Sequence, residues 1–373
     1  MLQKYVCYII LSLILVFNHK VMGQEEIKTL EIGAKAPDFT LMGIDGNNYS
    51  LDSFSHAQVL TIIFTANHCP TAQAYEDRIK KLVDEYTDKG VAVVAISSNN
   101  PQALRLDEMG YTDLGDSMEE MKIRAKDKGF NFPYLYDGDY QIVAKKFGAK
   151  ATPHVFIFNK DRILCYQGRF DNSEKIENVT IHDTRNAIDD LLSGQEVAVK
   201  ETKTFGCSIK WAYKKKSVED AIKKWNKEPV TVEMINLGDV RGLIKNDSDN
   251  LRLINIWATW CGPCIVEFPE LIEIYRMYRN REFEIITLSI DDPSVDEKVL
   301  EFLKKNFAST KNYHYELDDK YKLIESVDKD WPGPIPYTLL IKPGGEIIYR
   351  KLGMIDSFEI KRAIISYLGR YYK

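Results

Sequence analysis

The chain passes twice through the same order of apolar and polar stretches. In the first half, QVLTIIFT at 58–65 is a continuous apolar run rich in β-branched residues, as expected of a strand buried on both faces. The next stretch, AQAYEDRIKKLVDEYTDKG, sets Leu82 and Tyr86 at helical spacing and stops at Gly90. VAVVAIS at 91–97 reads as a second buried strand. ATPHVFIF and ILCYQG read as a strand pair split by the turn NKDR.

The second half repeats the plan. LRLINIWA at 251–258 is a strand, CIVEFPELIEIYRMYRN an amphipathic helix with a kink expected at Pro269, and FEIITLSI at 283–290 another strand. IPYTLLI and EIIYRKLG pair across the turn KPGG, and FEIKRAIISYLGRYY closes the half as a helix. In both halves a tyrosine lies thirteen residues after a proline: Tyr166 after Pro153, Tyr349 after Pro336. Strands alternating with helices predict an α/β chain with a central mixed sheet flanked by helices in each half. Between the halves, a charge run and the capping pattern Ser217-x-x-Asp220 predict a boundary near residue 215. The expected units are a short tail at 24–26, a first domain at 27–212 and a second at 217–373.

Composition narrows the function. With 45% hydrophobic residues, a net charge of −5 and no basic run denser than Lys214–Lys216, the chain suits a globular protein and gives no sign of nucleic-acid binding. Residues 1–23 read as a secretory signal peptide: Lys4 flanks the apolar run Tyr5–Phe17, and Val21 and Gly23 form a cleavage site. That run is too short to span a bilayer. The expected location is therefore extracytoplasmic, periplasmic in a Gram-negative source, where disulfides persist. Removing the signal takes Cys7 and leaves Cys69, Cys165, Cys207, Cys261 and Cys264, an odd set in which at least one thiol is free or pairs between molecules.

WATWCGPC at 257–264 follows a predicted strand and opens a predicted helix. Cys261 then meets the unpaired N–H groups and positive dipole end of the helix, which favour its thiolate. Cys264 lies one turn inside on the same face and can resolve a mixed disulfide, while Pro263 suits the first turn. The chemistry this predicts is thiol–disulfide exchange. A zinc site would need a second Cys-x-x-Cys or His-x-x-x-His, and the chain has neither; no metal or cofactor is expected. A purely structural bridge of this spacing closes a tiny loop and stabilises little.

NIWATWCGPCIVEFPEL together with IPYTLLIKPGGEIIYRKLG resembles the TlpA/ResA-like thiol–disulfide oxidoreductases, over essentially all of 217–373. The resemblance implies a thioredoxin fold with a cis Pro336 facing the active disulfide. It makes Ile335 the residue that pairs with an extended substrate peptide. It assigns Glu267 to proton transfer, although an ordinary charge near a helix start explains that residue equally well. Asn255 replaces the buried aspartate of thioredoxins proper. Trp260 is expected beside the site, as platform or core, and Trp257 in the core. Protein thiols or disulfides are the implied partners, with a membrane-bound electron donor to recycle the site.

GAKAPDFTLMGIDGNNYSL, with FTANHCPTAQAYEDRI further on, resembles the redoxin branch of the AhpC/TSA peroxiredoxin-like proteins, over roughly 31–211. Relatives of that branch carry CNHC at 66–69, and here Ala66 breaks the dithiol. The resulting expectation aligns Ala66 with Cys261 and Cys69 with Cys264. Cys69 is then a shielded, inert thiol in a degenerate site kept for packing or docking. Two alternatives stay open. Cys69 is a peroxidatic cysteine recycled by the second domain, with Arg124 or Arg162 as its only arginine candidates, or it pairs with Cys165 or Cys207. A third class, a binding protein with a structural Cys-x-x-Cys, is discriminated by whether that bridge resists mild reductant. His68 is expected at the surface, His154 and Cys165 in the packing, Cys207 in a loop, and Pro153 beside the secondary site.

Overall fold

The computed structural model describes residues 27–316 and 319–371. The secretory-signal expectation, on 1–23, and the tail at 24–26 lie outside the described residues. The α/β expectation holds in both halves. A seven-stranded sheet runs, in spatial order, Asn48–Ser50, Thr40–Gly43, Tyr134–Tyr136, Val91–Ser97, Val59–Thr65, His154–Phe158 and Leu164–Gly168. A six-stranded sheet runs Glu233–Ile235, Lys311–Tyr315, Phe283–Ser289, Leu251–Trp257, Tyr337–Ile341 and Ile347–Leu352.

In each sheet the central strand pairs parallel with one neighbour and antiparallel with the other, and in the seven-stranded sheet Thr40–Gly43 adds further antiparallel pairs at the far edge. Val59–Thr65 pairs parallel with Val91–Ser97 and antiparallel with His154–Phe158. Leu251–Trp257 pairs parallel with Phe283–Ser289 and antiparallel with Tyr337–Ile341. The central strands are apolar because helices cover both faces. Leu60, Ile62, Ile63 and Phe64 are fully buried, each worth about 1.5–3 kcal/mol of transfer free energy at the upper bound.

A helix follows each central strand, Pro70–Tyr86 in the first half and Gly262–Tyr278 in the second. The second helix continues through Pro269. The capping expectation at Ser217 is corrected. The helix Lys215–Trp225 begins earlier, and the Ser217 hydroxyl sits inside its first turn, donating to the Lys214 carbonyl. Serine offers that local alternative to a cap wherever a carbonyl lies three residues back.

The halves touch through the segment after Leu106–Glu108. Met109 packs on the second core, Tyr278 donates to the Thr112 carbonyl at 2.8 Å, and Arg370 pairs with buried Asp113 at 2.7 Å.

Candidate functional site

Cys261 is the N-cap of the helix Gly262–Tyr278. Its sulfur accepts the Cys264 N–H at 3.3 Å, and the two cysteines are joined by a disulfide. Cys264 is fully buried and Cys261 nearly so. A cap position leaves the first-turn N–H groups aimed at the sulfur, so a thiolate formed there on reduction is stabilised by those donors and by the dipole. The loop ahead of Cys261 is held by Asp291, which sequence reasoning missed. Its carboxylate takes the Thr259 N–H at 2.9 Å, the Thr259 hydroxyl at 2.6 Å and the Ser289 hydroxyl at 2.8 Å. The only cue in the sequence is its place two residues beyond a strand end.

Glu267 is buried one turn beyond Cys264. Asn255 donates to it at 2.9 Å and the Ile355 N–H at 2.8 Å. Burial pushes its carboxyl above the ordinary value, against those two hydrogen bonds, which favour the carboxylate. Asn255 also donates to Thr338 at 3.0 Å, so it ties the glutamate to the neighbouring strand. The Ile335–Pro336 bond is cis, and Ile335 belongs to no strand ladder among the described residues. Trp260 is 67% exposed, which corrects the reading of it as core. Trp257 is fully buried against Phe268 and Phe302.

The first half has the same corner, and its register corrects the alignment of the cysteines. Thr65 lies opposite Ser97 and Trp257 opposite Ser289, each at the end of its ladder. Counting four residues on from Thr65 and Trp257 puts Cys69 with Cys261, not with Cys264. The caps agree: Cys69 is the N-cap of Pro70–Tyr86, and its sulfur accepts the Ala72 N–H at 3.4 Å. Ala72 therefore stands where Cys264 stands, and Ala66 matches Ala258. Cys69 is thus at the first position of the helix, not one turn inside it.

His68 is buried, which corrects its expected surface place. Its Nδ1 lies 2.5 Å from the buried Asp116 carboxylate, which also accepts from Asn99 at 2.9 Å and from the Asn67 N–H at 2.6 Å. Burial disfavours the imidazolium, but the Asp116 charge outweighs it and the His68 pKa is raised. Asp116 sits in a turn-rich loop with no periodic signal, so nothing in the sequence marked it. Burial also pushes the Cys69 thiol up; a hydrogen bond from Cys207 and the nearby His68 charge outweigh it and bring the thiol well below its ordinary value. Neither arginine candidate serves this sulfur. Arg124 is paired with Glu76 at 2.8 Å, and Arg162 donates to the Ala57 carbonyl at 3.1 Å. His154 packs as expected: burial lowers its pKa to about 4, and Nε2 meets Gln167 at 2.9 Å. Cys165 is half-buried with its sulfur near the Ile163 carbonyl, and Thr152–Pro153 is a second cis bond.

Two thioredoxin-like sheets with a cysteine at each strand-to-helix corner, one of them bridged, define the class. The family comparisons agree with it. The AhpC/TSA family model matches residues 32–167 and the Redoxin model residues 248–363. The chain is a tandem thioredoxin-like protein. It is 35% identical over 97 residues to the thiol–disulfide oxidoreductase ResA of Oceanobacillus iheyensis, covering 26% of this chain and 45% of that protein. The chain spans about half the length of the curated relatives it matches. Among solved structures, an uncharacterized conserved protein of Geobacillus kaustophilus is 36% identical, with 49% of this chain and 94% of that one covered and a TM-score of 0.44. A hypothetical protein of Sinorhizobium meliloti is 34% identical, with 50% and 97% covered and the same score of 0.44.

Proposed function

We propose that this protein is an extracytoplasmic thiol–disulfide oxidoreductase that works as a disulfide reductase through Cys261 and Cys264. The observation that carries the reading is the bridged pair at the helix cap, with the Cys261 sulfur accepting an N–H and exposed Trp260 beside it. In the reduced protein, the Cys261 thiolate attacks one sulfur of a client disulfide and expels a client thiolate. Cys264 gives its proton to Glu267, attacks the Cys261 sulfur and expels the second client thiolate. The client gains two electrons and the protein keeps the bridge. Glu267 suits the proton step because burial raises its pKa towards that of a thiol. Ile335, outside any ladder among the described residues and next to Pro336, offers its backbone to an extended client segment.

The direction follows from chemistry: a Cys-Gly-Pro-Cys centre of thioredoxin type lies near about −270 mV, far below the roughly −120 mV of a strong oxidase. A reductase outside the cytoplasm must be re-reduced, so a membrane-bound electron donor completes the cycle. The apolar run Tyr5–Phe17 behind Lys4 supports the location. Trapping with Cys264→Ser tests the reading. Client proteins should accumulate on Cys261 as adducts that dithiothreitol releases; a variant that traps nothing while the wild type reduces insulin would overturn it.

A further inference from the structure

In the first half, the edge beside Pro153 is covered by the chain itself. Thr152 pairs antiparallel with Cys207, and Ala151 with Ser208. The corresponding residue of the second half, Ile335, is in no ladder among the described residues. Gly206 makes the approach close enough: a Cβ there would fall 2.2 Å from the Thr152 carbonyl oxygen, and its φ of +131° suits glycine. The segment 206–208 thus lies where an added strand would lie.

This segment brings a second thiol to Cys69. The Cys69 sulfur is 3.2 Å from the Thr152 carbonyl, the Thr152 hydroxyl donates to the Cys207 carbonyl at 3.4 Å, and Cys207 packs on Cys69 with Ala66 and Ala72. Cys69 is fully buried and Cys207 half-buried. His68 and Asp116 place a buried ion pair beside them, which the chemistry at Cys261 does not use.

We propose that Cys69 and Cys207 form a second dithiol–disulfide couple, closed across the Thr152–Pro153 edge, in which Cys207 exchanges with outside sulfur and Cys69 closes and reopens the bridge. The oxidant is a low-molecular-weight disulfide, RSSR. The Cys207 sulfur, its proton lost to water, bonds to one sulfur of RSSR and releases RS⁻. The Cys69 thiolate then attacks the Cys207 sulfur, forms the bridge and releases the second RS⁻. Two protein thiols are oxidised, one RSSR becomes two RSH, and the protons pass through water. Reduction is the reverse: an outside thiolate attacks half-buried Cys207 and Cys69 leaves. Exposure sets the outer role, since Cys207 is half-buried and Cys69 fully buried. Hydrogen bonding and the His68 charge favour negative charge on Cys69, which suits it to close the bridge and to leave on reduction. A thiol of lower pKa leaves faster.

The test equilibrates the full chain in glutathione buffers of rising oxidised-to-reduced ratio. Each sample is acid-quenched, alkylated, digested and read by mass spectrometry. A Cys69–Cys207 cross-linked peptide should appear as the ratio rises and vanish as it falls, with Cys165 alkylated throughout. The Cys261–Cys264 couple is read separately in the same digest. In Cys69→Ser, the Cys207 glutathione adduct should rise about tenfold or more over wild type, because nothing resolves it. Cys69 and Cys207 remaining free, or carrying glutathione on separate sulfurs, at ratios that fully bridge Cys261–Cys264 overturns the proposal. If Cys69→Ser fails to fold, the wild-type digest decides alone.

Discussion

The corner at 65–72 and the corner at 257–264 begin alike and end differently. Each places a cysteine as helix N-cap, its sulfur accepting the N–H three residues on, at 3.4 Å for Cys69 and 3.3 Å for Cys261. At the second corner the partner thiol, Cys264, comes from the same helix turn. At the first that place is Ala72, and the nearby thiol, Cys207, arrives on a strand from much later in the chain. Their neighbours differ as sharply. Trp260 stands in solvent, while its counterpart His68 is buried on Asp116. The same cap geometry thus serves two settings: one whose edge at Ile335 carries no strand among the described residues, the other covered by the chain's own strand at Thr152.

The sharpest way to separate the corners is Cys261→Ser. Insulin reduction should fall on the order of a thousandfold or more, since the attack on a protein client is assigned to Cys261. Cys165→Ser, remote from both corners, should leave it within about twofold. Equal losses in the two variants would break the assignment of activity to the second corner.

Asp116→Ala tests what holds the first corner. It leaves a buried His68 without its charge partner and frees donors of Asn67 and Asn99, so stability should drop by about 3–5 kcal/mol. The urea midpoint measures this. The pH sign follows from the pair itself. His68 is raised, so its share is lost as pH climbs through its folded value; Asp116 is lowered, so its share is lost as pH falls through its own. Between those limits the wild type should lead the variant most, and a constant lead across the range would count against the ion pair.

Glu267→Gln should slow resolution of the mixed disulfide by about a hundredfold while leaving the first attack nearly unchanged, as stopped-flow with a chromogenic disulfide would report. Because burial raises this carboxyl, the folded wild type holds its proton more tightly, and stability falls as pH rises from the ordinary glutamate value to the raised one. The variant should lose that slope; an unchanged slope would assign it elsewhere.

The mildest change is Ala72→Cys, which makes the first corner match the second. The added sulfur overpacks a fully buried site at about 1–3 kcal/mol. Mass mapping after mild oxidation should then find Cys69 bridged to the thiol introduced three residues on. Its absence in a folded variant would mean the two corners differ in more than the missing thiol.

Much of the fold was legible because its signals are local. Runs such as LTIIF and LINIW are apolar on both strand faces, and only a sheet covered on both sides buries them. CGPC was legible for the same reason: nucleophile, cap and second thiol fall within one turn. The slip at Cys69 came from matching cysteine to cysteine. Counting from the strand ends, where hydrogen bonding sets the register, gives the alignment the structure shows. Asp116 and Asp291 were invisible because each acts from a loop on a segment far away in sequence.

By itself, the sequence determined two α/β units with a cysteine at each strand-to-helix corner, since periodicity and capping act within a few residues. Only the tertiary structure decided that Cys69 meets Cys207 and His68 meets Asp116. Those pairs depend on which strand covers which edge, and that is settled by the packing of whole sheets.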